Sequence, residues 1–182
     1  MLSSIGNMFS GSGQDDSNDS LGASAEVPSV VSESLIQEFF GAIDEQDKEA
    51  VRQLLSDHHT GLTRARLKPR KAAFPPELER DAYTLLGAYL GPLTGLQYSI
   101  LTGRDSIAMD ILDMTFDQDI DDTFGSGNTA LQLAALLGAV AMVTALVRRG
   151  ADVTLKNKRN YSAVDMTDNV EILKLFTEDH DE

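Results

Sequence analysis

From Ser32 onward the apolar positions fall into a helical rhythm. Leu35, Ile36, Phe39, Phe40 and Ile43, then Ala50, Val51, Leu54 and Leu55, recur at spacings of three and four. Such spacing lines one face of a helix, so two short helices are expected, joined by a turn at the polar run Asp-Glu-Gln-Asp at 44–47. Residues 1–31 carry no such rhythm and are rich in Ser, Gly, Asp and Asn. They hold too little apolar surface to offset the entropy of ordering, which predicts a disordered tail. Further on, 123–147 contains no charged residue and Arg148-Arg149 follows at once. By hydropathy alone that stretch could be a membrane span with a basic flank.

An internal repeat argues against the span. The segment starting at Thr94, TGLQYSILTGRDSIAMDIL, aligns without gaps on TALQLAALLGAVAMVTALV, starting at Thr129. Gly103 then matches Gly138, Ile107 matches Met142 and Ile111 matches Leu146, at a constant offset of 35. Ser162, Val164 and Asp165 follow Thr129, Leu131 and Gln132 by 33. Periods of this size mark repeat arrays. The first of the two aligned segments holds Arg104, Asp105 and Asp110 in the same frame, so it cannot span, and its copy should share its structure.

Each copy opens with Thr or Ser followed three residues on by Gln or Asp: Thr94 and Gln97, Thr129 and Gln132, Ser162 and Asp165. This is the pattern of a hydroxyl N-cap whose third residue bonds back to it. Leu96, Leu131 and Val164 should face the core, and Ala134 and Ala135 should let a neighbouring helix come close. Gly103, Gly138 and Gly150 can take the left-handed conformation that ends a helix. Met142, Val143, Leu146 and Val147 have the spacing of a second buried helix face.

GNTALQLAALLGAVAMVTALVRRGADVT, from Gly127 to Thr154, resembles the ankyrin repeat along its whole length. It has the Thr-x-Leu opening, Leu-Ala-Ala, the mid-repeat Gly and the closing Gly-Ala-Asp-Val. Tetratricopeptide arrays have a similar period but lack that ending and the extended loop after it. The chain departs from the family pattern at Gln97 and Gln132, where His is usual, and at Gly95 and Ala130, where Pro is usual. The resemblance implies an all-α ankyrin-repeat solenoid of about four helix–loop–helix units over 32–176, with a short acidic tail at 177–182. An insertion of about 58–93 separates the first unit from the second, because that interval exceeds one period by roughly twenty-four residues. It should contain a loop and then a helix that starts at Pro75-Pro76 and runs from Glu77 to Tyr89.

The resemblance also implies a function: a non-enzymatic adaptor, scaffold or regulatory subunit that binds another protein on the concave surface of the solenoid. By position in the repeat, the expected contacts are Leu101 and Thr102, Leu136 and Leu137 at first-helix ends. The loops would add Gly125, Ser126 and Asn128, then Lys156, Lys158, Arg159 and Tyr161. Exposed leucines there would be anchors for a partner, unless the insertion helix covers them.

Charge narrows the partner. Twenty-nine Asp and Glu against 15 Lys and Arg give a net charge of −14, which repels nucleic acid and anionic membrane. It favours a basic protein partner and leaves open a chaperone-like escort for a basic client such as a ribosomal protein or histone. The chain has no cysteine, which excludes disulfides, a thiolate nucleophile and Cys-ligated zinc. The first residues lack the basic start and apolar middle of a secretion signal, so a cytoplasmic or nuclear location is expected.

The remaining clusters are read as surface. Arg64, Arg66, Lys68, Arg70 and Lys71 suit a solvated loop, with nuclear import or an acidic partner as the alternative. Arg70 to Phe74 is faintly similar to the docking motif of type 1 phosphatase regulators, with Ala where that motif wants Val or Ile, so a phosphatase-regulatory subunit is a further reading. Asp117, Asp119 and Asp121 have the spacing of a calcium loop, but Asp122 stands where Gly is needed and Asn128 where a bidentate Glu is needed. No catalytic set, cofactor site, metal site or small-molecule substrate is expected.

Overall fold

The computed structural model describes residues 31–69 and 74–178. The tail expected at 1–31 lies outside them except for Val31, and so do Arg70 and Lys71 of the basic cluster and the last four residues, 179–182. Ser32 caps α1 (Glu33–Glu45) by accepting from Leu35 N at 3.2 Å. The turn falls at Gln46, which takes the left-handed conformation at φ 59°, and Asp47 caps α2 (Lys48–Arg64) by accepting from Ala50 N at 3.0 Å. Phe39, Phe40 and Ile43 are fully buried, each worth about 2 kcal/mol of transfer from water.

α2 is interrupted at His58, whose backbone leaves the helical region (φ −131°, ψ 34°), and a further helical stretch to Arg64 buries Leu62 and Thr63. The stretch after Ala65 leads to the next helix pair. It holds β1 (Arg66–Leu67), α3 (Pro76–Leu85) and β2 (Leu93–Thr94), with Arg66 opposite Thr94 and Leu67 opposite Leu93 in an antiparallel ladder. α3 ends four residues before the expected Tyr89. Gly87 turns the chain out at φ 100°, and the carbonyls of Leu85 and Leu86 accept from side chains elsewhere in the molecule.

Next come α4 (Gly95–Leu101) with α5 (Asp105–Met114), and α6 (Ala130–Leu136) with α7 (Val140–Arg148). Both first helices open on a complete capping box. Thr94 Oγ1 accepts from Gln97 N while Gln97 Oε1 accepts from Thr94 N, and Thr129 and Gln132 do the same. Gly103 and Gly138, at φ 67° and 68°, break the chain between the two helices of each pair. Among the described residues no helix is long and apolar enough to cross a membrane.

The last unit is reduced. Its first helix is a single 3-10 turn, Val164–Met166, followed by α8 (Val170–Glu178). Its cap is also altered: the Ser162 hydroxyl and N–H both donate to Asp165 Oδ2, at 2.7 and 2.8 Å. In a three-residue turn the inward positions shift. Ala163 and Met166 are buried, and Val164, expected in the core, is 45% exposed.

The first helices α1, α4 and α6 and the 3-10 turn pack in sequence to form one layer, and α2, α5, α7 and α8 form the other. One continuous core runs from Phe39 to Phe176. Where the family pattern has Pro, Gly95 admits the Phe39 ring: a β-carbon there would lie 2.6 Å from it.

Candidate functional site

Of the residues expected to meet a partner, Leu101, Thr102 and Leu137, at the ends of α4 and α6, line one cleft, and Ser126 and Lys158, in the loops after α5 and α7, are joined by a backbone bond. α3 lies against both groups. Asn128, wholly buried, donates through Nδ2 to the Leu86 carbonyl at 3.0 Å. Asn157 Nδ2 donates to the Leu85 carbonyl and to Asn128 Oδ1, both at 2.8 Å. Arg159 Nε donates to the Thr84 carbonyl at 2.7 Å. Three side chains from two loops thus satisfy the carbonyls that a helix C-terminus leaves orphaned.

The two loops are themselves joined. Lys158 N donates to the Ser126 carbonyl at 2.9 Å, and Asn157 Oδ1 accepts from the backbone of Arg159 and Tyr161. Gly125, at φ 54°, lies beneath the chain that leaves α3, and a β-carbon there would come within 2.7 Å of the Tyr89 carbonyl.

This changes the role of several expected contacts. Leu101 and Leu136 are only 7% and 6% exposed, and Asn128 is sealed, so none is an exposed anchor. Gly125, Ser126 and Arg159 meet α3 and the chain after it. The Thr102 hydroxyl is turned back onto the Tyr98 carbonyl at 2.8 Å, and Tyr161 is half-buried against the core. Lys156 and Lys158 remain exposed, and Leu137 is half-buried.

α3 does not close the face. On one side it leaves an open cleft of about 540 Å³ with Leu136, Leu137 and Gly138 as its floor. Leu78, Asp81 and Leu85 of α3 form one wall and residues 165–169 the other. On the other side lies a cleft of about 580 Å³ between Phe74-Pro75 and the stretch Ile100–Gly103, again reaching Leu137 and Gly138. Phe74, the aromatic end of the phosphatase-like motif, is half-buried: it packs against the core and lines this open cleft.

Ionised groups rim the first cleft. The two bonds from Ser162 hold the Asp165 carboxyl below the ordinary range, and nearby Lys156 acts in the same direction. Away from the cleft, the acids of the calcium-like run serve the fold. Asp119 Oδ1 accepts from Asp121 N, both Asp121 oxygens accept from Asp152 N, and Asp122 pairs with Arg66. Burial, outweighing the bond from Asp152, pushes the Asp121 carboxyl up. Among the described residues no cluster of three or more His, Asp or Glu is placed to hold a metal ion.

The sequence reading missed Asn157 as a partner of α3, and Leu78, Asp81 and Leu85 as part of the site. One signal was available: Leu78, Ala82, Leu85 and Leu86 make an apolar stripe on a helix lying outside the repeat, and such a stripe needs something to cover. Residues 126–158, which span α6, α7 and the loop holding α3, match the ankyrin repeat family model. No curated protein matches the chain.

Proposed function

We propose that the chain, built around an ankyrin repeat, is a non-enzymatic module that binds another protein on the face where α3 crosses the repeats. Ankyrin repeats are protein–protein interaction modules, and about four such units make up the stack in this reading. One observation carries the choice of face: α3 lies over the first-helix ends yet leaves clefts of mixed polar and apolar lining open on both sides, both reaching Leu137 and Gly138. A helix kept solely to seal the core would be expected to pack without them.

The test is parallel affinity purification with the wild-type chain and with Leu137→Glu, a half-exposed position where the added charge should leave folding intact. A protein retained by the wild type, lost by the variant and shown to bind directly after purification supports the reading. Retention of every bound protein by a folded Leu137→Glu chain contradicts it.

A second reading, an escort for a basic client, is favoured by the net charge of −14. It predicts an affinity that falls steeply with salt, and a salt-insensitive complex would reject it.

A further inference from the structure

We propose that the cleft between α3 and the Asp165–Asn169 turn receives a short segment of the partner, in which an apolar side chain is flanked by Lys or Arg. This rests on the protein-interaction reading and assigns its chemistry.

The floor and the α3 wall of the cleft carry the apolar side chains. Leu136 and Leu137 form the floor, Leu78 and Leu85 stand one helical heptad apart on the α3 wall, and Met166 closes the far side. At about 540 Å³ the cleft is in the range of sites that enclose a small ligand or a few side chains. One wall is a helix that lies outside the matched repeat.

The charged half is the rim. Asp81 stands on the α3 wall, Asp165 and Asp168 on the other, and no Lys or Arg is among the lining residues; Lys156, outside the lining, lies near Asp165 alone. Asp168 makes no hydrogen bond or ion pair among the described residues, and Asp165 engages Ser162 through Oδ2 only. The Asp81 neighbour Arg80, 3.6 Å away, has a side chain 92% exposed, so it screens Asp81 weakly. An acidic segment would meet three carboxylates at the rim and a chain of net charge −14 behind them. A basic segment would be drawn in and its apolar side chain placed over the leucines.

The experiment uses the full chain with methyl-labelled Leu and Met and three synthetic peptides. The first carries two leucines between Lys-Arg pairs, the second has serines for the leucines, and the third has glutamates for the basic residues. The first peptide should shift the methyl signals of Leu78, Leu85, Leu137 and Met166 saturably, and the other two should not. Asp81→Asn with Asp168→Asn, both solvent-accessible positions, should weaken that binding about fivefold, as expected for two partly exposed charge pairs, with thermal unfolding unchanged. Equal binding of the serine peptide, shifts scattered away from the cleft, no shift at all, or unchanged binding to the double variant would each overturn the proposal. A natural partner that needs Leu137 but ignores the double variant would overturn it while leaving the interaction reading intact. A partner indifferent to Leu137 would overturn both.

Discussion

The side-chain amide of Asn128 donates to the backbone carbonyl of Leu86 at 3.0 Å, across 42 residues of chain. The bond ties the residue just before the N-cap of α6 to the end of a helix outside the matched repeat. It is wholly buried, and Asn157 braces it from the next loop.

Removing Asn128 should therefore loosen α3 before it loosens the stack. Asn128→Ala leaves the Leu86 carbonyl and the Asn157 amide each short of a partner, at a cost of about 1–3 kcal/mol. Hydrogen exchange should speed up through 76–87 while the amides of α6 and α7 stay protected. Uniform loss of protection across the stack would contradict this role.

Gly95 should resist substitution for a steric reason. A β-carbon there would lie 2.6 Å from the Phe39 ring, and Phe39 is buried with little room to move. Gly95→Ala should cost about 1–3 kcal/mol in urea unfolding, as overpacked cores do. In a double-mutant cycle, Phe39→Leu should absorb much of that loss.

Gln97 and Gln132 each close a capping box through Oε1 and reach the next loop through Nε2. Gln97 donates to the Asp122 carbonyl at 2.8 Å, and Gln132 donates to both Leu155 and Tyr161, at 2.8 and 3.1 Å. Alanine at either position should destabilise the chain, by about 1–3 kcal/mol. The loss at Gln132 should be the larger, since it makes two loop bonds where Gln97 makes one, although the Tyr161 carbonyl also accepts from Asn157 N. Equal losses in thermal unfolding would place the weight on the caps alone.

Much of this stack was legible in the chain, because repeat physics is local. The Thr-x-x-Gln caps, the left-handed glycines and the three-and-four spacing each act within one unit, so α4 to α7 follow from the residues directly. The Gln side chains in place of the family's His already implied a bond back to the cap, but their second bonds, to loops more than 20 residues away, are tertiary. The position of α3 is tertiary too. Its apolar stripe was an unused sign that it covers something, and Asn128, Asn157 and Arg159, brought together by folding, show what holds it. Val164 was misread because the last unit shrinks to a 3-10 turn, which moves the inward positions by one. Of the leucines chosen as anchors, Leu101 and Leu136 are buried, which spacing within one unit did not show.

Two carboxylates should titrate in opposite directions. Asp165 is held below its ordinary 3.8 by the bonds from Ser162. Its contribution to stability is complete above that value and is lost as the pH falls through the lowered pKa. Asp121 is raised by burial, so its ionised form opposes folding once the pH exceeds the unfolded value, and that cost is relieved as the pH falls through the raised pKa. Carboxyl carbon titration by NMR should place Asp165 below Asp121. The reverse order would contradict the geometry of both.

Methyl NOE spectroscopy on the full chain can show whether α3 lies over the first-helix ends and shapes the cleft beside them. Cross-peaks should join Leu85 on α3 to Leu136 on α6, and the Asn128 side-chain amide to Leu86. A soluble paramagnetic probe should broaden Leu137 more than Leu136. Absence of those cross-peaks, with both leucines equally open to the probe, would contradict that placement of α3.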